Sequence, residues 1–165
     1  MTEDKVVVIL GSGRDEGFSQ PITDALNGFG VQYDIRVASA HKTPRKLLQL
    51  LDAYEASEDR IVYITVAGRS NALSGFVDAN TRRPVIACPP YSDKFNGADI
   101  YSTLRMPSGV CPLVVLEPES AALAAMKILA LGCPKLDEGI RRRQRQMREQ
   151  VTQADKHVRS VREAT

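Results

Sequence analysis

The sequence is poor in the residue types that mark several classes of protein. It has three cysteines and no tryptophan in 165 residues. An odd number of cysteines without any C-x-x-C pair argues against a disulfide framework or a zinc site, and is typical of a reducing cytoplasm. No apolar run approaches the length of a membrane span, and the acidic first residues are unlike a signal peptide. We therefore expect a cytoplasmic protein with no membrane association and no metal.

Positive charge is scarce in most of the chain and is concentrated near its end. The formal net charge is +2, yet residues 1–134 have 13 Lys and Arg against 15 Asp and Glu, whereas residues 135–165 have 9 against 5. The larger part therefore lacks the basic surplus that attracts nucleic acid. We expect no nucleic-acid partner, and we interpret the arginine-rich run at residues 141–145 as a solvated helix face.

Hydrophobic runs alternate with segments of helical periodicity. Runs at residues 5–10, 33–37, 61–66, 84–88 and 113–116 predict five strands, and the first is continuously apolar, as in a strand buried on both faces. Strands that alternate with helices predict a parallel sheet joined by right-handed crossovers. We therefore predict an α/β protein with three α/β/α layers and a long C-terminal helix, and the order of the strands stays open.

Two of the shorter predicted helices border the expected binding edge of this sheet. The helix after the second strand is predicted to place Leu47, Leu48, Leu51 and Tyr54 on one face. Another short helix is expected at residues 76–80. The polar segment that precedes it is predicted to be a loop.

A long charged helix is expected from about Leu136 onward. Its apolar residues recur three and four positions apart, as in a coiled-coil seam. This stripe consists of Ile140, Met147, Val151, Ala154, Val158 and Val161. Because an isolated helix this polar is marginally stable, we expect the stripe to pack against another subunit. The chain is thus divided into an α/β domain at residues 1–134, in which we expect the functional site, and a helical extension at residues 135–165.

The hexapeptide SAHKTP at residues 39–44 is the strongest local signal of function. It lies where a strand ends and a helix begins, which is the edge at which open parallel sheets bind ligands. His41 can accept and donate a proton near neutral pH, and the hydroxyl of Ser39 and the ammonium group of Lys42 suit a phosphate. In the structural alternative, Thr43 caps a helix and His41 is a surface residue.

The segment GSGRD at residues 11–15 is expected at the same edge. It begins like a dinucleotide-binding fingerprint, but Glu16 stands where the third glycine belongs, so the pattern is weak. Ser12 and nearby backbone amides are still suited to a phosphate. Asp15 either accepts hydrogen bonds from ribose hydroxyls or caps the helix.

A third polar segment, AGRSNALSG at residues 67–75, follows the third strand. Gly68 and Ser70 frame a loop that can approach a ligand closely. Arg69 is either an anion contact or a partner in a surface ion pair. Because parallel strands end at one edge, we expect all three segments to form a single site.

Together these segments closely resemble the phosphoribosylaminoimidazole carboxylases of purine biosynthesis. The likeness covers roughly residues 5–131, most of the chain. The matching segments are GSxxD at 11–15, SAHKTP at 39–44, AGRSNALSG at 67–75, CPP at 88–90, GADIYS at 97–102 and LRMPSG at 104–109. The resemblance implies a flavodoxin-like sheet and a carboxy-lyase.

Two classes of this family differ in substrate. Class I members are mutases that move a carboxylate from N5 of carboxyaminoimidazole ribonucleotide to C4, and they typically have a histidine in the third loop and an arginine after the central histidine. Here the third loop reads AGRSN and Lys42 follows His41. Both features resemble class II, whose members carboxylate 5-aminoimidazole ribonucleotide (AIR) reversibly with CO2, giving 4-carboxy-5-aminoimidazole ribonucleotide (CAIR). The stand-alone bacterial form is the expected type, with the mutase and a non-catalytic nucleotide-binding module as alternatives.

The resemblance also implies roles for individual residues. His41 would shuttle the C4 proton, and the reaction would need no cofactor or metal. The substrate contacts would be Ser12, Ser39 and Lys42 at the phosphate, Asp15 at the ribose, and Gly68 and Ser70 at the base and carboxylate. Arg14 departs from the family, which usually has serine there, so that Arg14 either replaces the lost phosphate donor or points to solvent. Family members assemble symmetrically, so a homo-oligomer is expected, an octamer or else a tetramer.

Overall fold

The computed structural model describes residues 3–163, excluding the side chains of Phe95 and Glu163. Residues 1–2 of the predicted α/β domain and residues 164–165 of the predicted helical extension lie outside the described residues. The strands are β1 (Asp4–Leu10), β2 (Gln32–Val37), β3 (Arg60–Val66), β4 (Val85–Ala87) and β5 (Leu113–Val114). The helices are α1 (Glu16–Phe29), α2 (Pro44–Glu55), α3 (Ala72–Asp78), α4 (Tyr101–Leu104), α5 (Pro118–Ala130) and α6 (Pro134–Glu163). Two 3₁₀ helices span Gly13–Asp15 and Lys94–Ile100.

All five of these strands form one parallel sheet in the order β2-β1-β3-β4-β5. In the register of β1, Val8 lies beside Ile35 of β2 and Ile64 of β3. This is the flavodoxin-like order, in which ligands bind beyond the carboxyl ends of the strands at the switch point between β1 and β3. The predicted three-layer α/β/α architecture is confirmed.

Helices cover both faces of the sheet and bury both sides of β1. Val6 and Val8 belong to a core with α1, α5 and the start of α6, whereas Val7 and Ile9 belong to a second core with α2 and α3. Successive side chains of a strand point to opposite faces. The continuous apolar run therefore reflects a strand with no solvated face, as its sequence predicts.

The helix after the third loop begins earlier than predicted. It starts at Ala72 instead of residue 76 because Asn71 caps it, the Asn71 Oδ1 accepting a hydrogen bond of 3.2 Å from the backbone N–H of Ser74. The polar segment at residues 67–75 is therefore loop only in its first part. This cap fixes where the third loop ends.

The prediction for α2 is wrong at one residue, Leu48, which does not lie on the buried face. Leu48 is 37% exposed, whereas Leu47, Leu50 and Leu51 are buried and Tyr54 is half-buried. Positions three and four apart share a helix face, but adjacent positions diverge by about 100°. The leucine-rich sequence allowed two faces, and contact with the sheet selected the one that contains Leu50.

The long C-terminal helix is confirmed and has two different parts. Its first turns belong to the body, because Leu136 and Ile140 are buried in the core shared with α1 and α5. Residues 141–162 are exposed throughout, including Val151, which is 72% exposed. Between residues 3 and 163, no helix has the combination of length and apolar character that spanning a membrane requires.

Candidate active site

Four loops at the carboxyl edge of the sheet surround a cavity of about 630 Å³. This volume is typical of small-molecule sites. All nine residues that the sequence indicated as certain or possible contacts line it: Ser12, Arg14, Asp15, Ser39, His41, Lys42, Gly68, Arg69 and Ser70. The three segments that were expected to form one site are therefore brought together.

The first loop is stabilised by two reciprocal hydrogen bonds. The Ser12 backbone N–H donates to Asp15 Oδ2 at 2.9 Å, and the Arg14 N–H donates to Ser12 Oγ at 3.2 Å. Asp15 stands at the cap position of α1 but makes no side-chain bond to that helix, so its carboxylate closes the first loop and does not cap α1. It also borders the cavity. Gly11 fits against the third loop, where an added Cβ would lie 3.1 Å from the Cβ of Ala67. Larger side chains at this position would push the two loops apart.

The second loop closes on itself and leaves its tip exposed. The Ser39 N–H donates to Thr43 Oγ1 at 2.9 Å, and the Lys42 N–H donates to Ser39 Oγ at 3.3 Å. Thr43 occupies the cap position of α2, but its side chain bonds to Ser39 and makes no cap bond to the helix. These bonds hold the backbone, whereas the side chains of His41 and Lys42 extend from the exposed tip.

The third loop contains a residue in the left-handed region. Arg69 has φ = 59°, which is rare for a residue with a side chain. Its backbone N–H donates to Asp99 Oδ2 at 3.0 Å, and its carbonyl oxygen lies 2.7 Å from Ser102 Oγ, which is equally close to the Asp99 carbonyl. Gly68 and Ser70, on either side of it, border the cavity.

A fourth loop completes the cavity and was not identified from the sequence. It follows β4 and contributes Pro90, Tyr91, Ser92 and Lys94, of which Tyr91 is 86% exposed. Its position follows from the rule that parallel strands end at one edge. The signal was present in the motif CPP at residues 88–90, but neither residue type nor spacing distinguished these side chains from an ordinary surface loop.

The cavity has an excess of positive charge. Arg14, Lys42, Arg69 and Lys94 border it together with a single carboxylate, that of Asp15. Within the described part of the chain, none of these four cationic side chains forms an ion pair or a side-chain hydrogen bond. Such groups are available to bind anions, and their exposure suits a ligand that brings negative charge to the site. Residues 3–163 also contain no group of three or more His, Cys, Asp or Glu placed to hold a metal ion.

Cys88 lies close to this edge but is unsuited to nucleophilic chemistry. Burial, with a smaller effect of the Glu117 carboxylate, raises the pKa of its thiol to about 12. The thiol is therefore protonated at neutral pH, and Sγ lies 3.5 Å from the carbonyl oxygen of Leu116. Its side chain is completely buried and packs in the core.

Comparison with known proteins identifies the family of this chain. The family model described as AIR carboxylase matches residues 5–150. The chain belongs to the AIR carboxylase family. It is 54% identical over 159 residues to the phosphoribosylaminoimidazole carboxylase of Archaeoglobus fulgidus, an alignment that covers 94% of this chain and 85% of that protein.

Solved structures and a longer relative extend the comparison. The crystal structure of Treponema denticola PurE matches with a TM-score of 0.91 at 44% identity, and the match covers 93% of this chain and 97% of that one. A bifunctional carboxylase/succinocarboxamide synthetase of Drosophila melanogaster is 37% identical, but only 37% of it is covered. The expected family and its carboxy-lyase type are confirmed, and the chain matches stand-alone relatives over most of their length.

Proposed function

We propose that this protein carboxylates AIR with CO2 to give CAIR, reversibly, in the synthesis of purines. The observation that carries the proposal is the placement of His41 at a cavity bordered by four cationic side chains that have no partner among residues 3–163. A nucleotide phosphate and a new carboxylate both need positive charge, and the reaction also needs a group that exchanges a proton near neutral pH.

The substrate is proposed to span the four loops with its phosphate at the first and second. Ser12, Ser39 and Lys42 bind the phosphate, and Asp15 binds the ribose. Arg14 is proposed as an additional phosphate contact in place of the serine that is usual in the family. The hydrogen bonds within these loops, from the Ser12 N–H to Asp15 and from the Ser39 N–H to Thr43, support this assignment, because they fix the backbone conformation before the ligand binds.

The base and the carboxylate are proposed to lie at the third loop. Gly68 and Ser70 border this end of the cavity, and Arg69 supplies positive charge near it. In the forward step, C4 of the enamine-like ring attacks the carbon of CO2, a C–C bond forms, and one C=O electron pair moves to oxygen. His41 then removes the C4 proton and later releases it to solvent. General base catalysis of this kind contributes about 10²–10⁴-fold.

The protein is also proposed to act in the cytoplasm as a homo-oligomer, an octamer or else a tetramer. Ile140 of the predicted stripe packs in the core of its own chain and not against another subunit. The exposed remainder of the stripe supports a second copy as its partner, because Met147, Val151 and Val158 are all more than half exposed. A helix this polar gains little stability without a partner. In this proposal the catalytic domain is residues 1–134 and residues 135–165 are the extension through which copies pack.

An ultraviolet assay on the purified protein tests the reaction. One reaction receives AIR and bicarbonate, and a second receives the N5-carboxylated isomer in buffer freed of CO2. We expect CAIR to form in the first reaction only. Direct conversion of the isomer without CO2 would show a mutase instead, and ligand binding without product in either reaction would show a nucleotide-binding module.

A further inference from the structure

The third loop is held from outside, by a segment about 30 residues later in the chain. Asp99 Oδ2 accepts a hydrogen bond of 3.0 Å from the backbone N–H of Arg69. Ser102 Oγ lies 2.7 Å from the carbonyl oxygens of both Arg69 and Asp99, which share its one hydroxyl hydrogen, and it accepts a hydrogen bond from the backbone N–H of Asn71 at 3.0 Å. The side-chain amide of Asn71 also donates to Thr103 Oγ1 at 3.0 Å. Asp99, Ser102 and Thr103 are called the brace below.

The other two loops of the predicted site contain their own support. Ser12 and Asp15 bond within the first loop, and Ser39 and Thr43 bond within the second. Within the described chain, no side chain of residues 68–70 makes a hydrogen bond inside the third loop. The Asn71 cap and the bond from the Ala72 N–H to the Ser70 carbonyl support only the end of the loop, so the conformation at Arg69 depends on contacts supplied by the brace.

The left-handed conformation of Arg69 explains why such support is needed. A side chain at φ = 59° is disfavoured by contact between Cβ and the backbone, so an unsupported loop would move to other conformations. The brace bonds both the N–H and the carbonyl of this residue. It thereby selects the conformation that presents Gly68 and Ser70 to the cavity.

We propose that Asp99 and Ser102 are positioning residues that set the third loop for the carboxylation step. Neither side chain lines the site cavity itself, although Asp99 lines a smaller adjoining cavity that shares Gly68 and Arg69 with it. We therefore assign both residues an action through the loop. The proposal rests on the proposed function for its location at the base and carboxylate end. Since the phosphate-binding loops have separate support, loss of the brace is expected to impair turnover and use of CO2 and to leave AIR binding nearly intact.

Ser102→Ala is the variant that tests the brace. We expect kcat to fall about ten- to a hundredfold, because small displacements of reacting groups have effects of this size. The apparent KM for CO2 should rise, and the KM for AIR should stay within about twofold. Ser102→Thr, which retains the hydroxyl, should restore kcat. Thr81→Val is the matched control, since it removes a hydroxyl that donates to Glu55 at 2.6 Å on the opposite edge of the sheet.

Hydrogen–deuterium exchange supplies a readout that does not depend on activity. A peptide covering residues 67–71 should exchange faster in Ser102→Ala than in the wild type, and a peptide covering residues 39–43 should not change. Unchanged exchange, unchanged kcat, or a rise in the KM for AIR that matches the loss of kcat would each overturn the proposal. If the wild type lacks carboxylase activity, the proposed function fails, and the exchange experiment still decides whether the brace holds the loop.

Discussion

The two edges of the parallel sheet use the same charged residue types in opposite ways. At the amino edge, where strands begin, Arg60 and Arg83 are bonded to carboxylates and backbone carbonyls. At the carboxyl edge, where strands end, Lys42 and Arg69 have no side-chain hydrogen bond or ion pair within residues 3–163. One edge therefore uses its cations in the fold, and the other leaves them for a ligand.

Arg83 shows how completely the amino edge uses a cation. Its side chain is only 8% exposed, and its Nε donates to Glu55 Oε1 at 3.0 Å. Its guanidinium also donates to the carbonyls of Tyr54 (2.9 Å), Ser57 (2.6 Å) and Asp59. These carbonyls lie at and beyond the end of α2, where the helix has unpaired acceptors and the negative end of its dipole.

Arg60 connects parts of the chain that are distant in sequence. Its guanidinium makes two contacts with the Asp4 carboxylate, at 2.8 and 2.9 Å, and it also donates to the carbonyl of Gly132. β1, β3 and the link between α5 and α6 are thereby joined. The comparison teaches that arginine content alone does not reveal a binding site, since the partners of each arginine decide its use.

The largest expected effect is at the carboxyl edge. His41→Asn should lower kcat by about 10²–10⁴-fold, because asparagine fills a similar space but exchanges no proton at neutral pH. The melting temperature should be unchanged, since His41 is exposed. Steady-state carboxylation kinetics measure kcat, and a thermal melt measures the melting temperature. His157→Asn on α6 is the control, and unchanged turnover in His41→Asn would refute the assigned mechanism.

At the amino edge the corresponding change should affect stability instead of activity. Arg83→Ala should lower the free energy of unfolding by about 3 kcal/mol, because it removes the buried cation beside Glu55 and leaves three backbone carbonyls without their donor. Glu55 retains its contacts with Thr81 and the exposed Arg82. Urea unfolding measures this change, and kcat of the folded variant should equal that of the wild type.

The neighbouring Arg82 provides a matched control for this prediction. Its side chain is 78% exposed and contacts Glu55 at 3.4 Å. Arg82→Ala should therefore cost only about 0.5 kcal/mol. Equal losses of stability in the two variants would contradict the view that the network around Arg83 supports this edge.

A change in phosphate binding should be smaller than the loss of the proton shuttle. Lys42→Ala should raise the KM for AIR about tenfold with little change in kcat, since a charge-assisted hydrogen bond to phosphate is lost from both ground and transition states. The dependence of KM on salt should also weaken. Lys46→Ala, on the exposed side of α2, is the control.

Apart from the Arg82 control, the smallest effect is expected at a tyrosine of the amino edge. The Tyr54 hydroxyl donates to Asp34 Oδ2 at 2.8 Å, and burial together with this carboxylate raises the pKa of Tyr54 to about 12. Tyr54→Phe should cost about 1 kcal/mol at neutral pH. Because the unfolded pKa is near 10, this contribution is complete below pH 10 and is lost as the pH rises to about 12.

Unfolding measured across this pH range checks the sign of the effect. The stability difference between wild type and Tyr54→Phe should narrow from pH 10 to pH 12. A difference that stays constant or widens would show that the folded protein does not favour the protonated phenol. Comparison of the two proteins isolates Tyr54 from the other tyrosines.

Local patterns were sufficient for the elements and for most of the predicted site. The continuous apolar run of β1 predicts burial on both faces, and the motifs at residues 11–15, 39–44 and 67–75 place nine candidate residues at strand ends. These inferences succeed because periodicity and turn chemistry depend on neighbouring residues. They also predicted α6, whose spacing is regular over many turns.

Contacts between distant parts of the chain were decided only by the tertiary structure. The strand order, the choice of Leu50 over Leu48, and the contribution of Tyr91 and Lys94 to the cavity depend on how layers pack. The left-handed Arg69 and its bonds to residues about 30 positions later likewise have no local signature. The amino-acid sequence by itself determined that three of the four segments meet at the binding edge. Packing across the sheet added the fourth segment and decided strand order and loop conformation, because those interactions join residues that no sequence period relates.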